Sequence, residues 1–154
     1  MRTGMRRIAV AGAVTAGLVT MLGPAAQAAA HHPVVIQEIF YNSPGSDRGS
    51  NASLNAEWVK LRNRTGHRIS LANWTLRDLQ SHVYQFGMYS LRAHGTVLIH
   101  TGSGSDTRQD LFQDRSSYVW NNNSDRATLK DAAGHVKSRC SYSDPGENSA
   151  SVTC

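Results

Sequence analysis

The chain has 154 residues, enough for one domain with a sizeable core, and a formal net charge of +5. Three of its arginines lie within residues 1–7, so residues 31–154 keep 13 basic against 11 acidic side chains, a net charge of +2. So small an excess argues against a protein that holds nucleic acid by bulk positive charge.

The first 30 residues have the pattern of a secretory signal peptide. A basic start is followed by a short apolar run at 8–22 and by small residues at 26–30 that suit cleavage. The apolar run is shorter than the roughly 20 residues that span a bilayer, and glycines interrupt it. We expect residues 1–30 to be removed, and residues 31–154 to form a secreted, extracellular domain without a transmembrane segment.

The cleavage position decides one metal hypothesis. If the mature chain starts at Ala29, His31 is its third residue. The free amine, two backbone nitrogens and the His31 imidazole would then suit square-planar Cu(II) or Ni(II). A flexible terminus without metal is the alternative, and cleavage after Ala30 removes the site. No other cofactor is expected.

Short stretches with a period of two follow, separated by turn residues. The most regular is 57–62, where Val59 and Leu61 should face a core while Trp58 lies on the opposite face. A second layer or the stems of basic side chains must cover the Trp58 ring. The other predicted strands are 34–40, 69–71, 74–78, 83–86, 97–100, 127–130 and 136–142.

The segments between these strands carry further expectations. Residues 42–55 are predicted to be a long polar loop, 102–106 a Gly-Ser loop, and 111–115 weakly helical or irregular. A break in the alternation at 72–73 predicts a bulge or corner. The continuous apolar run at 97–100 is typical of a strand buried on both faces. About eight short strands without a helical period predict an all-β sandwich.

Cys140 and Cys154 are the only cysteines in the chain. An even count in an exported protein predicts a disulfide, which would close the C-terminal tail. The alternative is a reactive thiol pair, but the two cysteines lack CxxC spacing.

Seven motifs follow one another over about residues 34–142. They are 36–39 (IQEI), 57–63 (EWVKLRN), 71–78 (LANWTLRD), Tyr84 with Phe86, 100–104 (HTGSG), 120–122 (WNN), and 125–134 (DRATLKDAAG). This order of motifs resembles the lamin tail domain family. The resemblance implies an immunoglobulin-like β-sandwich, found in nuclear lamins and in exported bacterial proteins, and it implies no catalytic residues.

Catalytic and metal motifs are weak. The Gly102-Ser103-Gly104 segment is one residue too short for a Gly-x-Ser-x-Gly nucleophile elbow. Three aspartates recur every fourth residue and would lie on one face only if this segment were helical. They are Asp106, Asp110 and Asp114. A solvated acidic face is the more common role of such a group, and calcium binding is the alternative. We therefore predict a non-catalytic protein. A minimal hydrolase is kept as an alternative, after the two binding functions described next.

The candidate binding residues lie on and after the second strand. Trp58, Lys60 and Arg62 share one strand face, and Arg64 and Arg68 follow in the turn. Basic side chains beside an aromatic ring could track a phosphate backbone, although long side chains also solvate outer sheet faces. The leading prediction is a secreted binding or scaffold module for an unknown protein or cell-surface polymer. The alternative is a secreted nucleic-acid-binding module.

Overall fold

Short strands account for most of the regular structure in the described part of the chain, which is residues 32–45, 49–143, 146 and 149–154 of a computed structural model. The predicted signal peptide and His31 lie outside these residues. The elements are β1 (Val34–Phe40), α1 (Asn51–Asn55), β2 (Trp58–Asn63), β3 (Ile69–Ser70), β4 (Thr75–Arg77), β5 (Val83–Gln85), β6 (Ser90–Leu91), β7 (Thr96–His100), β8 (Asp110–Phe112), β9 (Ser124–Lys130), β10 (Val136–Ser143) and β11 (Ser151–Thr153).

The strands form two principal sheets. The first, sheet 1, has the order β11-β1-β2-β7-β8, and the second, sheet 2, has the order β10-β9-β4-β5. Neighbouring strands are antiparallel except β7 and β8, which run parallel. Strands β3 and β6 make a separate small pair. The predicted all-β, immunoglobulin-like sandwich is confirmed.

The core fills the space between the sheets because alternate residues of each strand point inward. On β2, Val59 and Leu61 are fully buried while Lys60 is half-buried and Arg62 is exposed, as predicted. The largest fully buried apolar side chains are Tyr41, Phe86, Ile36, Ile39, Leu61, Leu71, Leu76, Leu91, Ile99 and Leu129. A register shift between Ile36 and Glu38 marks a bulge in β1. There the Ile36 N–H donates to Ser138 Oγ of β10 at 3.0 Å, which ties the two sheets together.

The corner predicted at 72–73 is confirmed. Leu71 and Trp74 are both buried, so the chain must turn between them. Asn73 makes that turn with a left-handed φ of 63°, a conformation that asparagine tolerates better than most residues.

Two predictions for the middle of the chain need correction. Of residues 111–115, expected to be weakly helical or irregular, residues 111–112 belong to strand β8, because Leu111 is buried and the backbone pairs with β7, while residues 113–115 are irregular. The helical alignment of Asp106, Asp110 and Asp114 therefore does not exist. Strand β7 is buried on one face only: Val97 and Ile99 are buried, whereas Leu98 and His100 are half-buried.

The segment predicted as a long polar loop contains the helix α1. Ser50 caps it, since its Oγ accepts a hydrogen bond from the Ser53 N–H at 3.2 Å, and Leu54 is its buried residue. Within the described ranges of the chain, no helix is long and apolar enough to span a bilayer.

The predicted disulfide is confirmed. Cys140 lies on β10 of sheet 2, and Cys154 follows β11 of sheet 1, with 5.7 Å between their Cα atoms. The bond therefore joins edge strands of different sheets and fixes the C-terminus to the sandwich.

Candidate functional site

Four rings form a row across the outer face of sheet 1. Phe40, Trp58, His100 and Phe112 are direct cross-strand neighbours on β1, β2, β7 and β8. All four side chains are half-buried, since their strands turn the intervening residues toward the core. We call this set the aromatic row.

The rings of the aromatic row are stacked in two pairs. Phe40 and Trp58 have centroids 5.3 Å apart, and His100 and Phe112 have centroids 5.0 Å apart. His100 is fixed on both ring nitrogens: Nδ1 lies 2.6 Å from the Asn55 carbonyl oxygen and Nε2 lies 3.1 Å from Asp110 Oδ1. The row is thus a preorganised, partly apolar surface.

Lys60 covers the Trp58 ring, which is one of the two possibilities that the sequence left open. Its Nζ lies 4.8 Å from the ring centroid and donates to Glu38 Oε2 at 2.7 Å. A cation above the ring face is attracted by the ring's quadrupole. Because Glu38 neutralises it, Lys60 adds contact area to this face but little net positive charge.

The other predicted basic residues extend the face at one end. Arg62 is exposed on the same side of β2, beside Thr96 of β7, and Arg64 and Arg68 are exposed in the turn that follows. Asn63 is fully buried and shapes that turn, since its Nδ2 donates to the carbonyls of His67 and Arg92 at 2.7 and 2.9 Å. The structure thus brings Trp58, Lys60 and Arg62 together and places Arg64 and Arg68 at the edge.

A groove of about 400 Å³ adjoins Arg62 and was not predicted. Arg92, His94, Thr96 and Arg108 contribute to its lining. They come from the loops around β6 and β7 and from the loop before β8, so no local pattern in the sequence links them to Arg62.

The two segments proposed from sequence as polar end loops pack against each other. The side-chain amides of Asn51 and Asn55 both donate to the Ser103 carbonyl at 2.9 Å, and the Ser103 N–H donates to Asn51 Oδ1 at 2.7 Å. A Cβ on Gly102 would lie 2.5 Å from Asn55 Oδ1, so only glycine permits this approach. These segments form a fixed corner beside the aromatic row.

The buried carboxylates bind backbone. Glu57 accepts hydrogen bonds from the N–H groups of Val119 and Trp120 at 3.1 and 2.8 Å. Asp125 accepts from the Leu79 and Asn121 N–H groups at 3.0 and 3.2 Å. These hydrogen bonds show that both carboxylates hold loops in place.

Burial strongly raises the pKa of the Tyr142 hydroxyl, and the charges of Asp125 and Glu57 raise it further. That hydroxyl donates to the Asn121 carbonyl at 2.6 Å. Tyr142 therefore remains a neutral structural donor. Among the described residues, no group of three or more histidine, cysteine, aspartate or glutamate side chains could hold a metal ion. His31 lies outside them.

A protein-family model matches most of the chain. The family model described as Lamin Tail Domain matches residues 27–144. No curated protein matches the chain.

Proposed function

The chain belongs to the lamin tail domain family, and from that premise we propose that it is an exported, non-catalytic binding module that holds a protein or a cell-surface polymer at the outer face of sheet 1. An immunoglobulin-like domain of this family is typically a non-catalytic scaffold. Export is supported by the signal-peptide pattern of residues 1–30 and by the Cys140–Cys154 disulfide, since disulfides persist in oxidising compartments.

The aromatic row is the observation that carries the proposal. Aromatic residues and arginine are enriched where proteins bind partners, and binding energy concentrates on tryptophan, tyrosine and arginine. Here Trp58 contacts both the Phe40 ring and the Lys60 side chain, with Arg62 exposed two residues beyond Lys60 on the same face. Side chains already held in place lose little conformational entropy on binding.

The test is a pull-down from culture fluid and cell envelope with the purified protein, with and without nuclease. A partner that survives nuclease should bind Trp58→Ala and Arg62→Ala at least about tenfold more weakly than the wild-type chain. Met88→Ala is the matched control, because Met88 is fully exposed away from this face. An empty pull-down, or binding that both variants leave unchanged, would contradict the proposal, as would hydrolysis by the pure protein.

Nucleic acid is the second candidate ligand of this face. It is supported by Arg62, Arg64 and Arg68, which make no ion pair with any described residue. The ion pair between Lys60 and Glu38 weakens the case for nucleic acid as the ligand. Captured nucleic acid that salt elutes, and that is lost with Arg62→Ala and Arg64→Ala together, would favour this candidate.

A further inference from the structure

The outer face of sheet 2 carries a groove of about 260 Å³ surrounded by basic side chains. In the strand register, Thr128 of β9 lies between Arg77 of β4 and Arg139 of β10. Arg126 and Lys130 lie two residues to either side of Thr128 along β9. Because successive strand residues alternate between faces, all five share the outer face while Ala127 and Leu129 are buried inside. We call these five residues the basic groove.

The charges of the basic groove are not compensated by the residues that the structure describes. Arg77 donates to Ser81 Oγ at 2.5 Å, and within the described ranges no ion pair involves Arg126, Lys130 or Arg139. Asp78 also borders the groove, but its carboxylate is wholly buried and lies 2.6 Å from His82 Nδ1. This contrasts with sheet 1, where Glu38 neutralises Lys60.

The side chains of the groove suit phosphate. Guanidinium groups bind phosphate oxygens through two parallel N–H donors, and the Thr128 hydroxyl adds a donor at the centre. The residues that line the groove include no aromatic ring, so the groove offers the bases of a nucleic acid no aromatic platform to stack on. The ligand chemistry that fits is the phosphate group itself.

The spacing of the groove suits a chain of phosphates. Arg126, Thr128 and Lys130 succeed one another at about 7 Å along β9, and Arg77 and Arg139 stand about 10 Å apart across it. A single phosphate would have to draw all four cations together against their mutual repulsion, whereas a linear chain can contact them at successive phosphates.

We propose that the basic groove is a binding site for a linear polyanion that it contacts through phosphate groups and not through bases. This site goes beyond the function proposed for the aromatic row, because it lies on the opposite sheet and uses none of the same residues. The protein then has two chemically different faces, one partly aromatic and one purely cationic.

The experiment titrates the purified protein with a short polyphosphate chain, over a series of salt concentrations. If all four cations contribute, the logarithm of the binding constant should fall with the logarithm of salt concentration with a slope of about −3. That slope corresponds to a loss of about 60-fold in affinity between 50 and 200 mM salt. Arg126→Ala with Arg139→Ala should lower the affinity at least about tenfold and roughly halve the slope.

Arg92→Ala with Arg108→Ala is the matched control, since it removes the same charge from exposed positions outside sheet 2 that the proposed function does not use. It should leave polyphosphate binding nearly unchanged. Both double variants replace exposed arginines, and equal thermal unfolding midpoints will show that both are folded. The proposal is overturned if the wild-type chain does not bind polyphosphate at 50 mM salt, or if the two double variants bind equally well. Tighter binding of single-stranded DNA with the same number of phosphates would overturn the assignment to phosphate alone.

Discussion

Several carboxylates in this protein accept hydrogen bonds from backbone N–H groups at the ends of strands. Glu57 and Asp125 do so from buried positions, and Asp131 does so in the turn between β9 and β10. There the N–H groups of Ala133 and His135 donate to Asp131 Oδ1 at 3.0 and 2.8 Å. At the scale of single residues, these acidic side chains determine loop geometry, and that role explains why acidic residues collect in the polar turns.

Asp131 is expected to titrate well below an ordinary aspartate. The hydrogen bond from Lys137 and the backbone N–H of His135 lower its pKa from 3.8 to about 2. Because the folded pKa is the lower one, the ionised carboxylate stabilises the fold above pH 3.8, and this contribution is lost as the pH falls toward about 2. An NMR titration of the Asp131 carboxyl should have its midpoint at about 2. Lys137→Met should raise that midpoint, and an unchanged midpoint would refute the assigned cause.

At the scale of elements, α1 depends on the loop after β7. With five residues it is too short to be stable alone, and its Asn51 and Asn55 side chains bond the backbone of Ser103. Gly102 makes this approach possible, since a Cβ there would also lie 2.6 Å from Asn51 Oδ1 and 3.0 Å from the Leu54 Cβ. The helix and the loop therefore form one cooperative corner that also holds His100 in the aromatic row.

Gly102→Ala should destabilise the fold by about 1–3 kcal/mol, because the added methyl group forces α1 and the loop apart. Urea unfolding measures the effect. Gly87→Ala is the matched control: a Cβ there meets nothing within 4 Å, and the change should alter stability by less than about 1 kcal/mol. Equal unfolding midpoints for the two variants would show that the corner is not closely packed.

At the scale of the whole molecule, the disulfide closes the sandwich on one side. Strand β11 has only three residues and pairs with β1 at the edge of sheet 1, and the next residue, Cys154, is bonded to Cys140 of sheet 2. The Cys154 N–H also donates to the Gln37 carbonyl at 2.9 Å. Strand β11 is thus attached to both sheets, so the loss of this strand should destabilise both of them.

Cys140→Ser with Cys154→Ser should lower the free energy of unfolding by about 3 kcal/mol, because the open chain gains conformational entropy when unfolded. The thermal midpoint should fall by roughly 10 °C. Reduction of the wild-type protein should produce the same shift, which controls for the serine substitutions. If neither the double substitution nor reduction lowers the thermal midpoint, β11 is held by backbone pairing alone.

Much of the fold follows from the sequence alone. A run of branched residues predicted β1 at residues 34–40, alternation put Val59 and Leu61 in the core, and a break in the alternation predicted the corner before Trp74. Cysteine count and the export pattern predicted the disulfide. These features are local or compositional, since a strand must alternate once one of its faces is buried.

Only the tertiary structure decided which side chains of different strands stand together on each surface. Lys60 was predicted to be a binding cation, yet its charge is neutralised by Glu38 from the neighbouring strand. Arg77, Arg126 and Arg139 are far apart in the sequence, and the strand register of sheet 2 brings them together. Alternation shows which face of a strand a residue occupies, but not which residues of other strands stand beside it. Charge compensation and ring stacking depend on those neighbouring residues. The neighbours are determined by the pairing of strands that are distant in the sequence.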